Sequence, residues 1–483
     1  MRTKPLTIFI IVAVVLLALP NVGFAKTEEQ FEISAWIPYW RADAGVASIL
    51  PNLDKFTEVN PFVYTVRQDG SLFLNTDLDN ALWITLRAKT KEMNVRFVPT
   101  ITWANADAMD EIFQDPSKRL EHVRAIVREV YARGFDGIDV DYEGKYARTR
   151  PYFSLFLKEL YEAIAYDKWV MCTIEARTPL DSRYSSPEDI PTDIEYANDF
   201  GDINRYCDRV RIMAYDQGRY DLKLNDVNQD PYAPVADRAW VEKVMRLTAE
   251  EIDKSKLSIG VATYGYEYDM FEALDGSGEM QYSRLWSLNP GYATATAEKL
   301  GLTPARNSAG ELSLVYPASQ SLGSAIPLPF ATRVMSWSDA EAIRAKADLA
   351  KELGVRGISI FKVDGGQDPA LWNMLATYDR GAPVAIAPQT SAPTEPALAP
   401  ALSIPSRDLE FGVRVEEVRA LQKLLNALGF AVATSGGGSP GQETIYFGPA
   451  TRTALVRFQK AKNITPAAGY FGPKTRAAFS SLQ

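Results

Sequence analysis

Histidine is almost absent: His122 is the only one in 483 residues. A metal site built from several imidazoles is therefore excluded, and a Ser/His/Asp triad would have to use this single ring. Cysteine is nearly as scarce. Cys172 and Cys207 are too few for a thiolate metal cage. They form one disulfide in an oxidising compartment or remain two buried thiols. Positive charge is in deficit as well. The formal net charge of −9 excludes nucleic acid as a partner of the whole chain. Chemistry must then rest on carboxylates, tyrosines and backbone groups.

The amino-terminal apolar run, residues 6–19, is too short to cross a bilayer comfortably. Arg2 and Lys4 precede it, Pro20 breaks it, and Gly23-Phe24-Ala25 places small residues where a signal peptidase reads. Residues 1–25 are expected to be a secretory signal cleaved after Ala25, with an uncleaved anchor as the alternative. No stable membrane span is then expected after processing.

Three further segments follow. Residues 382–405 carry regularly spaced prolines among Ala, Thr and Ser, with Glu395 the only charge. Such a stretch cannot bury enough apolar surface to fold and reads as an extended linker. The body before it, residues 26–381, alternates short apolar runs with amphipathic stretches such as 119–133 and 338–353. Candidate strands are 33–38, 61–66, 95–101, 135–140, 169–175, 209–214, 257–263 and 357–361. Eight strand–helix units suggest an α/β fold, a (β/α)8 TIM barrel, although doubly wound sheets alternate in the same way. About 65 residues, 266–331, lie between the last two strands and read as a small α+β insertion. The tail, residues 406–483, repeats itself: Tyr446-Phe447-Gly448-Pro449-Ala450-Thr451-Arg452 returns as Tyr470-Phe471-Gly472-Pro473-Lys474-Thr475-Arg476. Each copy sets Pro at a first helical position, so the tail reads as a small helical module. Ten Lys/Arg against five Asp/Glu make it basic on an acidic chain. It is therefore suited to an anionic surface, or else simply carries a solvated charged face.

The densest chemistry is Asp136-Gly137-Ile138-Asp139-Val140-Asp141-Tyr142-Glu143. Side chains alternate along a strand, so Asp139, Asp141 and Glu143 share one face, while Ile138, Val140 and Tyr142 face covering helices. Three like charges on one face repel. The arrangement makes sense if the acids share protons and one keeps its proton near neutral pH. An oxygen-ligand metal site or a tolerated acidic rim are the bland alternatives. Asp136 lies on the opposite face and is expected only to support.

This run resembles the signature of glycoside hydrolase family 18, the chitinase-like barrels. Met213-Ala214-Tyr215-Asp216, Ile259-Gly260 with Tyr264-Gly265-Tyr266, and Gly357-Ile358-Ser359-Ile360-Phe361 with Asp368-Pro369 and Trp372 extend the resemblance over most of 31–378. The last of these is similar to the bacterial branch that includes spore-cortex-lytic glucosaminidases. The resemblance implies that Glu143 protonates the glycosidic oxygen and that Asp141 orients the substrate's 2-acetamido group. It further implies that Asp139 pairs with Asp141 and that Tyr215 donates to the acetamido oxygen. Asp216, Tyr264 and Phe361 are the implied substrate contacts; Trp36, Tyr39, Trp40 and Trp103, at or near the ends of early strands, are further candidates to stack on a sugar, with core packing as the alternative. The acetamido oxygen replaces an enzyme nucleophile, retention follows, and neither a metal nor a cofactor is implied. Two positions depart from the family pattern. Thr100-Ile101-Thr102-Trp103-Ala104-Asn105 stands where Ser-x-Gly-Gly is usual, and Phe361 stands where tryptophan usually floors the sugar.

The tail is similar to the small helical peptidoglycan-binding module of wall hydrolases. The expected protein is a secreted, cell-wall-associated, monomeric glycosidase that cuts after N-acetylglucosamine in peptidoglycan. The alternatives are action on chitin or N-glycans, or a wall- or sugar-binding protein with little turnover.

Overall fold

The computed structural model describes residues 31–164, 168–320, 331–378, 404–433, 437–462 and 464–480. The expected signal segment and all but the last two residues of the expected linker lie outside them. Among the described residues no helix is long and apolar enough to cross a membrane.

Eight parallel strands close a barrel: β1 (Glu32–Pro38), β2 (Glu58–Val66), β3 (Thr100–Trp103), β4 (Gly137–Tyr142), β5 (Trp169–Glu175), β6 (Arg209–Met213), β7 (Leu257–Ala262) and β8 (Gly357–Phe361). Each pairs with its successor, and β1 pairs with both β2 and β8, so no edge remains. Two short strands, Leu72–Leu74 and Arg96–Phe97, pair with β2.

Local sequence explains how each unit is delimited. The helix Pro116–Arg133 starts where Asp115 accepts the Ser117 and Lys118 amides, with Pro116 at its first position. It ends at Gly134, and Phe135 turns back to bond Val130 O. The chain thus enters β4 with a fixed register. Asp136 does support this strand: its Oδ2 accepts the Phe97 amide at 2.8 Å. The third strand is shorter than the run 95–101 implies, because Pro99 has no amide to donate and splits it into Arg96–Phe97 and β3.

Ile138, Val140 and Tyr142 pack outward among Phe113, Phe153 and Phe156. His122 belongs to this layer. It is buried between Gly70 O and the Tyr142 hydroxyl, and burial holds its pKa down to about 4. The one imidazole therefore packs the barrel wall and does not face the barrel axis.

Cys172, on β5, is disulfide-bonded to Cys207, just before β6. The bond closes a loop with a sequence separation of 35 residues. In the chain-entropy account, replacing both by alanine should cost about 4 kcal/mol. Chemical denaturation of the double variant should show the loss, and an unchanged midpoint would mean the loop is held by packing alone.

The insertion is a five-stranded antiparallel sheet formed by Gly265–Glu272, Met280–Leu288, Ala305–Arg306, Leu312–Pro317 and Thr332–Trp337, with one helix, Pro290–Leu300. Its last strand runs to Trp337, beyond the expected end at 331, because residues 332–337 pair with 265–270.

The tail has helices Glu416–Ala427, Pro449–Ala461 and Pro473–Ser480 around its own core, which includes Leu421, Phe447, Leu455, Phe458 and Phe471. The sequence echo has a structural cause. Gln422 accepts the Thr444 amide and donates to Tyr446 O and Thr451 Oγ1. Gln459 repeats this with the Gly469 amide, Tyr470 O and Thr475 Oγ1. Each buried glutamine thus pins one Tyr-Phe-Gly-Pro-x-Thr turn. A Cβ at Gly472 would lie 2.3 Å from the Tyr470 ring, so any larger residue there would have to displace that ring.

Candidate active site

The barrel delivers its polar groups at the carboxyl ends of the strands. Along β4, Asp139 is fully buried, Asp141 sits next on the same face at 4% exposure, and Glu143 lies half-buried just past the strand end. The alternation expected from sequence is therefore observed.

The three acids have different surroundings. Asp139 Oδ1 faces Arg211 Nη1 at 2.7 Å and Thr173 Oγ1 at 2.9 Å. Its Oδ2 accepts from Trp36 Nε1 at 3.0 Å and Thr100 Oγ1 at 2.7 Å. Asp141, by contrast, has a buried Oδ1 with no hydrogen-bond partner. Burial, then the charges of Glu143, Asp139 and Glu175, push its carboxyl well above the usual range. Burial, then Glu175 and Asp216, also raise Glu143, while Lys145 opposes them. Two neighbouring acids that both hold their protons upward in pH, one of them with an open oxygen, can supply a proton donor beside a hydrogen-bond acceptor.

Two residues missed by sequence reasoning adjust this pair. Lys145 is buried against the Phe153 ring and donates to Tyr142 O. Its ammonium stands 3.9 Å from Glu175 Oε2. Glu175 also accepts from the Gly144 amide and Asn198 Nδ2, both at 2.8 Å. Burial opposes its ionisation, but Lys145 and these donors hold it below the usual value. Glu175 is thus an ionised neighbour of Glu143 and not a second proton donor. Its inward position at the end of β5, in alternation with Met171 and Thr173, was the available signal.

Tyr215 and Asp216 follow β6. Burial, then the surrounding carboxylates, keep the Tyr215 hydroxyl protonated. Gly260 lies beside it, where an added Cβ would stand 2.4 Å from Ile212 O and 3.0 Å from the Tyr215 ring. Asp216 adopts φ +61 and accepts from the hydroxyls of Tyr264 and Tyr266 at 2.7 and 2.8 Å. Tyr266 was not among the expected contacts.

Phe361, at the end of β8, stacks on Tyr215 with centroids 5.8 Å apart and planes 13° from parallel. Trp36, Phe62 and Tyr264 meet it edge-on. Phe62 in turn meets Trp40, which contacts Tyr39, and these two rings are 49% and 37% exposed on the turn after β1. An aromatic path thus leads outward from Phe361.

Trp103 does not join this group, which corrects its expected role as a sugar contact. It pairs in register with Tyr142 and so points outward. Its ring is 2% exposed between Phe113, His122 and Tyr142. No face is open for a sugar. Among the described residues, no cluster of three or more His, Cys, Asp and Glu side chains is arranged to hold a metal ion.

The model of glycosyl hydrolases family 18 matches residues 32–366. The chain belongs to this family. A second model, described as "Putative peptidoglycan binding domain", matches residues 414–479. The chain is therefore a family 18 glycosidase with a carboxyl-terminal peptidoglycan-binding module. A Bacillus subtilis relative described as an uncharacterized glycosylase, YvbX, is 19% identical over 274 residues, 56% of this chain and 69% of that protein. Among solved structures, the spore cortex-lytic enzyme SleL of Bacillus cereus aligns with a TM-score of 0.56 and 18% identity, covering 73% of this chain and 76% of that one. A chitinase from Chromobacterium violaceum aligns at 0.55 and 20%, covering 72% and 98%. At these identities the structural likenesses establish the fold alone.

Proposed function

We propose that this family 18 glycosidase is secreted and cuts the β-1,4 bond after N-acetylglucosamine in peptidoglycan, with the substrate's own acetamido group as nucleophile. The observation that carries the reading is the buried, unpartnered Asp141 Oδ1 beside the raised acid Glu143. An acceptor left open in a buried site is costly unless a ligand supplies the missing donor. An acetamido N–H is such a donor.

The steps follow from the residues. Glu143 gives its proton to the glycosidic oxygen as the bond to the anomeric carbon breaks. Asp141 accepts from the acetamido nitrogen and stabilises the positive charge growing there. Tyr215 donates to the acetamido oxygen and aims it at the anomeric carbon. Glu143, now a carboxylate, takes a proton from the incoming water, and the product retains its configuration. The Phe361 ring offers the apolar floor.

The tail module supports a wall glycan as the substrate, since tethering raises the local concentration of the barrel at a bound polymer. The disulfide supports an oxidising compartment. The test is to incubate the chain lacking residues 1–25, and its Glu143→Gln variant, with purified sacculi and with chitin oligomers. New N-acetylglucosamine reducing ends from sacculi are expected with the parent protein only. Ends from chitin alone would move the substrate. Negligible release by both proteins, with binding to sacculi retained, would leave a binding protein. A chain ending near residue 381 should lose most sacculus pull-down, and undiminished binding would remove the tail's role.

A pH prediction follows from Glu175. Glu143 is raised, so its acid form persists upward in pH, and Glu175 is one cause of that rise. Glu175→Gln removes the repelling charge and leaves Lys145 unpaired beside Glu143. Both changes favour the Glu143 carboxylate. The alkaline limb of kcat/KM should therefore move to lower pH, and a limb that stays or moves up would show that Glu175 does not act on the acid.

A further inference from the structure

The insertion carries an arginine that the barrel chemistry does not use. Across its strands Gly265–Glu272 and Met280–Leu288, Arg284 stands opposite Tyr268. Opposite residues of a strand pair share a face, and Tyr266 alternates onto the same one. Tyr266 and Tyr268 pack in one cluster with Tyr264, Tyr215 and Phe361. Arg284 is therefore on the face of the sheet turned toward the site. Its guanidinium lies 4.9 Å from the centre of the Tyr266 ring, and the Tyr266 hydroxyl donates to Asp216 at 2.8 Å. One ring separates Arg284 from Asp216.

Arg284 is exposed, and among the described residues its guanidinium has neither a carboxylate partner nor a hydrogen-bond acceptor. The other arginines of the insertion are committed. Arg333 meets Glu267 at 3.3 Å and Asp269 at 2.7 Å on the opposite face, and Arg306 pairs with Asp339 at 2.7 Å. Nearer the acids, Lys145 faces Glu175, Arg211 pairs with Glu58, and Arg219 pairs with Asp230. The Tyr266 ring steadies the Arg284 cation and uses none of its N–H donors, so the fork that matches a carboxylate is unspent.

The two candidate polymers differ in charge. Chitin has none. In peptidoglycan every second sugar bears a 3-O-lactyl branch that ends in a carboxylate or, where a stem peptide is attached, in the carboxylates of that peptide. A cut after N-acetylglucosamine puts the branched sugar next to the one held at the acids. Its charge then enters a site crowded by Asp141, Glu143, Glu175 and Asp216, where a cation must offset the repulsion. We propose that Arg284 is a specificity residue: it takes the branch carboxylate of a sugar adjoining the one held by Asp141 and Glu143, and so favours peptidoglycan over chitin. This rests on the peptidoglycan reading above.

The test compares kcat/KM of the whole chain and of Arg284→Gln on three soluble substrates of equal sugar number: a chitin oligomer, peptidoglycan strands stripped of stem peptide, and strands that keep it. Arg284→Gln should lower kcat/KM about fivefold on branched strands, mainly through KM, and less than about 1.5-fold on the chitin oligomer. Loss on stripped strands alone assigns the lactyl carboxylate, loss on intact strands alone assigns the stem peptide, and loss on both assigns a carboxylate at either reach. Arg284→Lys should recover about twofold, because the charge returns without the fork. An equal loss on all three substrates would show that Arg284 only props the Tyr266 ring. No loss on either kind of strand would show that it meets no carboxylate. Both results overturn the proposal and leave the substrate reading standing. A parent protein that cuts the chitin oligomer and neither kind of strand would sink the peptidoglycan reading and this proposal with it.

Discussion

Glu143→Gln is expected to lower kcat on an N-acetylglucosamine polymer about 1,000-fold while KM moves less than about threefold. The amide keeps the size and position of the carboxyl but holds no acidic proton. Its loss therefore falls on the transition state and not on ground-state binding. The rival donor would be Glu175. Its Lys145 partner, with the Gly144 amide and Asn198, keeps it ionised, so it has no proton to give in Glu143's place. A variant retaining more than about a tenth of the parental kcat would show that another group protonates the leaving oxygen.

Asp141→Asn should cost about 100-fold in kcat. The substitution removes the negative charge that Asp141 can develop opposite the oxazolinium. It also adds an N–H where the acetamido N–H must be accepted. The same change in Asp139 acts differently. Its amide would turn a donor toward Arg211 or toward the Trp36, Thr100 and Thr173 donors, so Asp139→Asn should lose folded stability as well as rate. Thermal unfolding beside steady-state kinetics separates the two. If Asp141→Asn unfolds early and its remaining folded fraction works at the parental rate, Asp141 is a packing residue.

Much of this was legible in sequence where one physical rule dominates. Strand alternation alone placed Asp139, Asp141 and Glu143 on the inner face and Tyr142 on the outer one. The same rule, applied to β3, would have turned Trp103 outward with Tyr142, but its place near a strand end suggested a sugar contact. Glu32, Glu58 and Arg211 were missed because a charge inside an apolar strand is intelligible only once its partners are known. Those partners come from strands far apart in the chain: Glu32 lies 177 residues before Arg209, and Glu58 lies 153 before Arg211. Glu58 and Asn60 also blurred the start of β2, which reads as polar in isolation. The Lys145–Glu175 pair was hidden for the same reason. In the tail, the repeated turn was visible as a string of letters, and only the Gln422 and Gln459 hydrogen bonds explain why it repeats.

The central claim is that Glu143 works without an enzyme nucleophile because the acetamido group supplies one. Proton NMR of the first product anomer, recorded before mutarotation while the parent protein cleaves a β-linked N-acetylglucosamine oligomer, tests it most directly. The β-anomer should appear first, and it should fail to appear when the acetamido group at the cleaved residue is replaced by a free amine. Initial α-anomer, or equal cleavage of the de-N-acetylated oligomer, would contradict the claim.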